Sequence, residues 1–464
     1  MVKFGTSGLR GLADDLSDDV VRRYVYAFVQ VFPHDGVLVV GRDLRASSPR
    51  ILRAVAEGAA LAGLRVLDCG VVPTPALALE CAARGAPGVM VTGSHIPANR
   101  NGLKFYTRDG EFTKADETAL LQALERPRVT HEARPAKIEK CGAAAAYIAR
   151  YLEFFASGAL KGQRIGVWEH SSAARQVLPE ILTGLGADVV ALGRSETFVA
   201  VDTEAISGVV RDQLAGWAAA HRLDAVVSTD GDADRPLLAD EAGLCVPGDI
   251  LGPLTARALG ARDIVTTVSA NTMVEAMGHF LEVSRCRIGS PYVIEMMQDR
   301  ITDGARSVIG YEPNGGVLLG FEAELDGRRL PPLMTRDAVL PIVAVLVAAA
   351  GRSVSELVLR LPGRRTATDR LTDVPSDVSA VIVAEVLAGG SGLIPPELGA
   401  IAAIDTTDGA RMTLDAGVIL TIRPSGNAPE LRCYVEADGS QTASTVLDEM
   451  LARLAARVAA LRTT

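Results

Sequence analysis

A chain of 464 residues is too long for one ordinary hydrophobic core and implies roughly two to four domains. Its composition, 48% apolar and 22% charged with no low-complexity tract, is that of a soluble globular protein. A net charge of −9 argues against non-specific nucleic-acid binding, so an anionic ligand would need a locally basic cleft in an acidic protein.

The start, MVKFGTSGLRG, lacks the apolar core of a secretory signal, and a cytoplasmic location is expected. One pattern then recurs three times. The first copy opens with the β-rich run Val37 to Asp43, continues through a helical stretch from Pro49 to Leu64 and the strand RVLDCG, and ends in Gly88 to His95. The second runs from Arg164 to Ser172, through a helix to about Leu185 and ADVVALG, to Ala225–Asp234. The third has Asp263 to Thr272, a helix through Phe280, EVSRCRIG, and Ser307 to Gly316. Alternating strands and helices predict βαβ units with mixed or largely parallel sheets. In each copy the third strand runs into a Gly-rich polar loop, where α/β proteins place ligands. The longest apolar stretch, Ala338 to Ala350, is shorter than the about 20 residues a bilayer requires; it is broken by Pro341 and flanked by Arg336-Asp337 and Arg352, and so reads as a buried helix. From about Leu359 the character changes to strands around a turn-rich loop. A final helix follows, with Val446, Met450, Leu454, Val458 and Leu461 on one face. The expected organisation is three similar mixed α/β domains around a central cleft, residues 1–140, 141–243 and 244–357, plus a smaller α+β domain, 358–464.

Cys69, Cys81, Cys141, Cys245, Cys286 and Cys433 are scattered, with no CxxC pair, and read as free thiols rather than zinc ligands or a redox motif. Four loops could carry chemistry. In VTGSHIPANRNGLKFY, a sharp turn at Gly93 could present Ser94 as a nucleophile beside His95, with Lys104 opening a strand that returns toward the first. In STDGDADRP, Asp230, Asp232 and Asp234 alternate at i, i+2 and i+4, which in an extended or looping segment points three carboxylates one way. Such hard oxygen ligands suit Mg²⁺ or Ca²⁺, and Mg²⁺ is favoured if a phosphate completes the shell; Arg235 stands beside them. In EPNGG, Glu312 and Asn314 could meet sugar hydroxyls, or the segment could be a plain hairpin turn. In RPSGNAPELR, Arg423, Ser425, Gly426 and Asn427 make a phosphate cradle or a polar turn. Arg10, in FGTSGLRG, is a further candidate phosphate contact.

Taken in order, FGTSGLRG, TGSHIPANRNGLK, DGDADR, EPNGG and RPSGNAPELR resemble the α-D-phosphohexomutase superfamily over essentially the whole chain, and the EPNGG and TGSHIP loops look most like those of bacterial phosphomannomutases. The resemblance implies four domains around one cleft. It implies Ser94 as the phosphoserine, and Asp230, Asp232 and Asp234 as Mg²⁺ ligands completed by the Ser94 phosphate. Glu312 and Asn314 fall on its sugar loop. Arg423, Ser425, Gly426, Asn427 and Arg432 fall on the loop for the non-transferring phosphate, and Arg10, Lys104 and Arg235 match charged active-site positions. The chain departs from the family at Asn314, often Ser, at Gly316, where an acid/base His often stands, and at Asn427, usually Thr. Lys104 and His95 remain candidates for proton transfer. The implied activity interconverts hexose 1-phosphate and hexose 6-phosphate, with mannose or glucose as sugar, through a hexose 1,6-bisphosphate that also serves as activator. Phosphoglucosamine mutase, a non-catalytic phosphosugar-binding protein and a Ser94-dependent phosphatase are the alternatives. The only expected partner is the small-molecule hexose phosphate, with no nucleic acid or membrane, in a monomer or homodimer.

Overall fold

The structure, a computed structural model, describes residues 2–5, 8–125, 135–389, 392–425 and 429–462. The first unit is a sheet whose centre is β2 (Val37–Arg42), flanked by β3 (Arg65–Val71) on one side and β4 (Gly88–Val91) on the other, both parallel to it. β5 (Arg100–Thr107) folds back antiparallel on β4. The edges are extended by β1 (Leu9–Leu12), antiparallel to β5, and by β6 (Ile138–Lys140), parallel to β3. Helices α1 (Ser48–Leu61) and α2 (Thr74–Arg84) are the crossovers, each carrying Pro in its first turn, where the missing N–H has no partner to lose.

The same order recurs twice. In the second unit, β7 (Arg164–Trp168) lies between parallel β8 (Asp188–Leu192) and β9 (Ala225–Thr229), and β10 (Pro236–Ala239) returns antiparallel on β9. In the third, β11 (Asp263–Thr267) lies between parallel β12 (Glu282–Cys286) and β13 (Val308–Tyr311), β14 (Val317–Leu319) returns on β13, and β15 (Leu333–Asp337) follows it. β4, β9 and β13 are buried along their whole length, as strands covered on both faces must be, and read as continuous apolar runs rather than alternating ones. The recurrence makes three loops topologically equivalent: residues 92–99, 230–235 and 312–316 each join the third strand of a unit to its antiparallel fourth.

Helices fill the layers on both faces: α3 (Ala143–Phe154), α4 (Gly208–His221), α5 (Gly248–Ala258), the four-residue α6 (Met273–Ala276) and α7 (Val339–Ala348). α7 is the buried helix expected from the apolar run; it starts late enough that Pro341 sits in its first turn, so the proline does not break it. No helix among the described residues is long and apolar enough to cross a membrane. One hydrophobic cluster runs through all three units, from Val39 and Leu77 through Tyr147 and Ile165 to Ile264 and Leu346. The C-terminal unit has its own cluster, Val374 to Val458. It is an antiparallel sheet, β16 (Arg364–Thr372), β20 (Glu430–Asp438), β19 (Ile419–Pro424), β18 (Ala410–Leu414) and β17 (Ile401–Asp405) in spatial order, covered by α8 (Ser440–Arg462). α8 buries Val446, Met450, Leu454 and Val458 on the face its spacing predicts.

Two expectations are corrected. The third unit's crossover helix ends at Ala276 rather than Phe280, because Gly278 turns left-handed with φ 61°. Lys104 lies in the middle of β5, paired with Met90, and does not open the strand. Asp230, Asp232 and Asp234 do converge, and of the two conformations expected it is the loop that brings them together: the chain turns tightly after β9, with Ala233 at φ 58°.

Candidate active site

The serine loop is held from below. Ser94 itself takes φ 52°, a left-handed conformation that costs a non-glycine residue on the order of 1 kcal/mol. The buried guanidinium of Arg45 offsets that cost by donating to the carbonyls of Ser94 (2.8 Å), Ile96 (2.6 Å), Pro97 (2.6 Å) and Arg100 (2.9 Å). Its Nε pairs with buried Asp43 at 3.1 Å, and its plane stacks 4.0 Å from the Phe198 ring. A Cβ on Gly93 would stand 2.5 Å from the Arg45 guanidinium carbon, so this packing requires the glycine, whereas the left-handed residue of the turn is Ser94. Asp43 also accepts from Thr92 Oγ1 (2.8 Å), and Thr92 Oγ1 in turn accepts from the Ser94 N–H (2.8 Å).

This frame aims Ser94 across to the second unit, where its Oγ donates to Asp230 Oδ2 at 2.6 Å. Oxygens of Asp230, Asp232 and Asp234 lie within 4.8 Å of one another, and all three residues are buried. Asp232 is gripped by the first unit: its Oδ2 accepts from Thr74 Oγ1 (2.6 Å) and Lys104 Nζ (2.6 Å), and its carbonyl from the Thr74 N–H (2.8 Å). Lys104 also donates to Asp234 Oδ2, which takes a further bond from Arg336 Nη2 at 2.7 Å. Burial, reinforced by Asp232 and Asp234, pushes the Asp230 carboxyl well above the usual range. Burial works the same way on Asp234, but Arg336 and Lys104 overcome it and hold that carboxyl low. Asp232 Oδ1 and Asp234 Oδ1 are buried with no hydrogen-bond partner, the nearest recorded cation to the latter being Arg235 Nε at 3.8 Å. Buried carboxylate oxygens left in this state are costly, and an all-oxygen donor set of this kind fits a small hard divalent cation.

His95 is half-buried at the same floor, its Nδ1 3.4 Å from Ser94 Oγ. Burial, then the positive charges of Arg235, Arg432 and Arg10, hold its pKa well below the ordinary histidine value, against the opposing pull of Asp202. Arg10 donates to the Thr92 carbonyl, tying β1 to the start of the serine loop.

EPNGG is the hairpin connection of β13 and β14: Gly315 N–H donates to Glu312 O (2.8 Å) and Glu312 N–H to Gly316 O (3.2 Å). Asn314 Oδ1 accepts from the Gly316 N–H at 3.0 Å, and Glu312 Oε2 accepts from Arg336 Nη1 at 2.8 Å. Arg336, on β15, therefore bridges the acidic loop of the second unit and the EPNGG loop of the third.

In the C-terminal unit the register sets Arg423 of β19 opposite Arg432 of β20, and Arg432 opposite Arg370 of β16. Like charges on directly opposed strand positions repel, so a row of three arginines on adjacent strands needs negative charge beside it. Carboxylates now meet them: Asp202 accepts from Arg370 (2.7 Å), Asp408 from Arg423 (3.3 Å), Glu430 from Arg432 (3.2 Å), and Glu204 lies 3.7 Å from Arg432. Ser425 N–H donates to Glu430 O at 2.9 Å; Gly426 and Asn427 lie outside the described residues.

The structure thus brings Ser94, His95, Lys104, Asp230, Asp232, Asp234 and Arg235 into one cluster and connects Glu312 to it through Arg336. Arg423 and Arg432 stand on the neighbouring sheet. Sequence reasoning missed Arg45, Thr74, Arg336 and Arg370. The one available signal was position: Arg45 and Thr74 follow the carboxyl ends of β2 and β3, the same edge that presents Ser94.

Models for the four domains of one enzyme family match in succession: phosphoglucomutase/phosphomannomutase alpha/beta/alpha domain I over residues 1–128, domain II over 145–243, domain III over 247–364, and the C-terminal domain over 370–454. The chain belongs to the phosphoglucomutase/phosphomannomutase family. A phosphomannomutase of Sinorhizobium fredii is 45% identical over 472 residues, covering 97% of this chain and 98% of the relative. One of Salmonella muenchen is 40% identical, covering 98% and 96%. The crystal structure of a putative phosphomannomutase from Thermus thermophilus shares the fold, with TM-score 0.76 at 23% identity over 97% of this chain and 98% of that one. The chain is accordingly a phosphohexomutase, acting on hexose phosphates, and the buried Asp cluster is a place where this member of the family could hold a metal ion.

Proposed function

We propose that the enzyme interconverts hexose 1-phosphate and hexose 6-phosphate, with mannose as its preferred sugar, by way of a phosphorylated Ser94 and a hexose 1,6-bisphosphate. The observation that carries this reading is the 2.6 Å contact of Ser94 Oγ with Asp230, beside two buried carboxylate oxygens that lack a hydrogen-bond partner. Identity of 40–45% to phosphomannomutases supports mannose.

Mg²⁺ held by Asp230, Asp232, Asp234 and the Ser94 phosphate would supply neutralisation of the charge that phosphoryl transfer spreads over the equatorial oxygens. The chain's own residues do the rest. Arg45 fixes the serine loop, so that Ser94 Oγ stays in line with the cleft. Lys104 commits its donors to Asp232 and Asp234 and keeps the acidic loop folded against β5; with Asp230 engaged as a metal ligand, His95 Nδ1, 3.4 Å from Ser94 Oγ, is the base that remains beside it. Glu312 and Asn314 face the sugar, while Arg423, Arg432, Ser425, Gly426 and Asn427 hold the phosphate that is not being transferred. Arg10 and Arg235 add positive charge at the transferring end. The bisphosphate formed by the first transfer turns over in the cleft and returns its other phosphoryl to Ser94; the separate C-terminal unit can follow that reorientation because its core is its own. The acidic protein in this way acquires the locally basic cleft its substrate needs.

The test is intact mass after incubation with mannose 1,6-bisphosphate and Mg²⁺. One phosphoryl addition, mapped to Ser94 and absent in Ser94→Ala, is expected, together with a loss of mutase activity of at least about 10³-fold in that variant. An unmodified Ser94, or a variant of undiminished activity, would rule out the phosphoserine route. Equal turnover of glucosamine 1-phosphate and mannose 1-phosphate would rule out the mannose preference.

A further inference from the structure

Cys69 and Cys141 lie 72 positions apart in sequence, yet their Sγ atoms are 3.0 Å apart. The contact follows from the sheet. The β3–β6 register pairs Val66 with Ile138, Leu67 with Glu139 and Asp68 with Lys140, so the next step sets Cys69 opposite Cys141. The Cys141 N–H donates to the Asp68 carbonyl at 3.1 Å, which continues the ladder to that step. Neighbouring strands run about 4.8 Å apart, inside the Cα range a disulfide spans. Both cysteines are partly exposed, as is the solitary Cys245, whereas Cys81, Cys286 and Cys433 are buried. The pair also occupies a junction. Ile138–Lys140 is a three-residue edge strand, exposed throughout, and Cys141 and Gly142 lead from it into α3, the first helix of the second unit. On the other strand, Cys69 stands five positions before Thr74, whose two bonds grip Asp232.

We propose that Cys69 and Cys141 form a reversible thiol–disulfide site, oxidised by hydroperoxides, whose closure clamps β6 to β3 where the chain passes from the first unit to the second. The Cys141 thiolate attacks the peroxide: its sulfur bonds to one oxygen, the O–O bond breaks, and the other oxygen leaves as water or alcohol after taking a proton. The Cys69 sulfur then attacks the resulting sulfenic acid. The S–S bond forms, the S–O bond breaks, and hydroxide departs with the Cys69 proton as water. Two thiols have lost two electrons, and the peroxide has gained them. Burial and the contact with Cys141 raise the Cys69 pKa, which suits it to the second step rather than the first. A disulfide of this kind in a reducing compartment is transient, opened again by small thiols.

The experiment uses the full chain, treated with hydrogen peroxide and then alkylated under denaturing conditions. Two fewer thiols than the six of the reduced protein are expected to react, with a peptide joining Cys69 to Cys141. The thermal midpoint should rise by about 5 °C and return after dithiothreitol, and Cys141→Ser and Cys69→Ser should show neither change. Six reactive thiols after oxidation, a linkage between any other pair, or a sulfinic acid on Cys141 with Cys69 still reduced would overturn the site. A correct linkage that leaves the midpoint and the hydrogen exchange of Ile138–Lys140 unchanged would overturn the clamp. Mapping the wild-type chain decides the first question even if a variant folds poorly.

Discussion

Arg336 carries two buried ion pairs at once, to Asp234 and to Glu312, and burial opposes its charge while those carboxylates secure it. Removing one member of such a group leaves the others buried and uncompensated, which costs about 3–5 kcal/mol, far more than an exposed ion pair contributes. Arg336→Met, which roughly keeps the volume, is expected to lower stability by about that amount in urea unfolding and to reduce kcat/KM by at least about 10²-fold. Arg336→Lys restores a charge but not the fork that reaches both loops, so it should recover stability more than activity. Equal activity in Met and wild-type enzymes would show that the bridge is only structural. None of this was legible in the sequence, where Arg336 reads as a polar flank of an apolar helix. Ser94, Asp230 and Glu312 were legible because each sits in a contiguous loop at the end of a recognisable strand. Arg336 and Arg45 act through residues of other segments, and only the folded chain puts them there. Arg370 was hidden for a related reason: its meaning lies in the cross-strand register with Arg432, which sequence spacing does not contain.

At the scale of elements, the repeated strand order could be read from hydrophobic runs, and the loops after the third strands could be placed with it. What spacing could not supply was how closely elements approach. The start of α5 is an example. A Cβ on Gly248 would lie 2.2 Å from Gly315 N and 2.3 Å from Pro313 O, so this helix end packs backbone to backbone on the EPNGG hairpin. Gly248→Ala must push the hairpin away, at a cost of about 1–3 kcal/mol. If the displaced residues face the sugar as proposed, KM for the hexose phosphate should rise more than kcat falls. Gly216 is the contrast: it is exposed inside α4, and a methyl group added there would meet nothing within 4 Å, so Gly216→Ala should stabilise by up to about 1 kcal/mol and leave kinetics unchanged. Thermal unfolding and steady-state assays of the two variants side by side check both. A Gly248→Ala enzyme with wild-type KM would remove the helix end from any part in positioning the sugar loop.

Across the whole molecule, three units share one hydrophobic cluster, while the C-terminal unit meets the third largely through polar contacts. Thr272 N–H donates to Glu436 at 3.0 Å, Asn271 Nδ2 to Thr366 Oγ1 at 2.9 Å, and Thr366 Oγ1 to Asp249 at 2.9 Å. Polar interfaces of this type allow the joined units to move. Asp249 makes the contact pH-sensitive. Burial, with Glu436 and Glu204 adding to it, raises its pKa to about 6, while the bonds from Thr366 and the Asn271 backbone pull the other way. The unfolded carboxyl titrates near pH 4 (about 3.9 for a free Asp). Between these values the folded state holds a proton that the unfolded state has released, so stability falls as pH rises through the window from about 4 to 6 and does not recover above it. Asp249→Asn keeps an oxygen for Thr366 and has no charge to bury. It should be more stable than wild type at pH 7.5, by up to about 3 kcal/mol, and the difference should vanish near pH 4. Hydrogen exchange of β16 across a urea series at the two pH values reads this at the interface itself. A variant no more stable than wild type at pH 7.5 would mean that Thr366 and the Asn271 backbone compensate the buried charge fully, and that the joint between the third and C-terminal units does not loosen as Asp249 ionises.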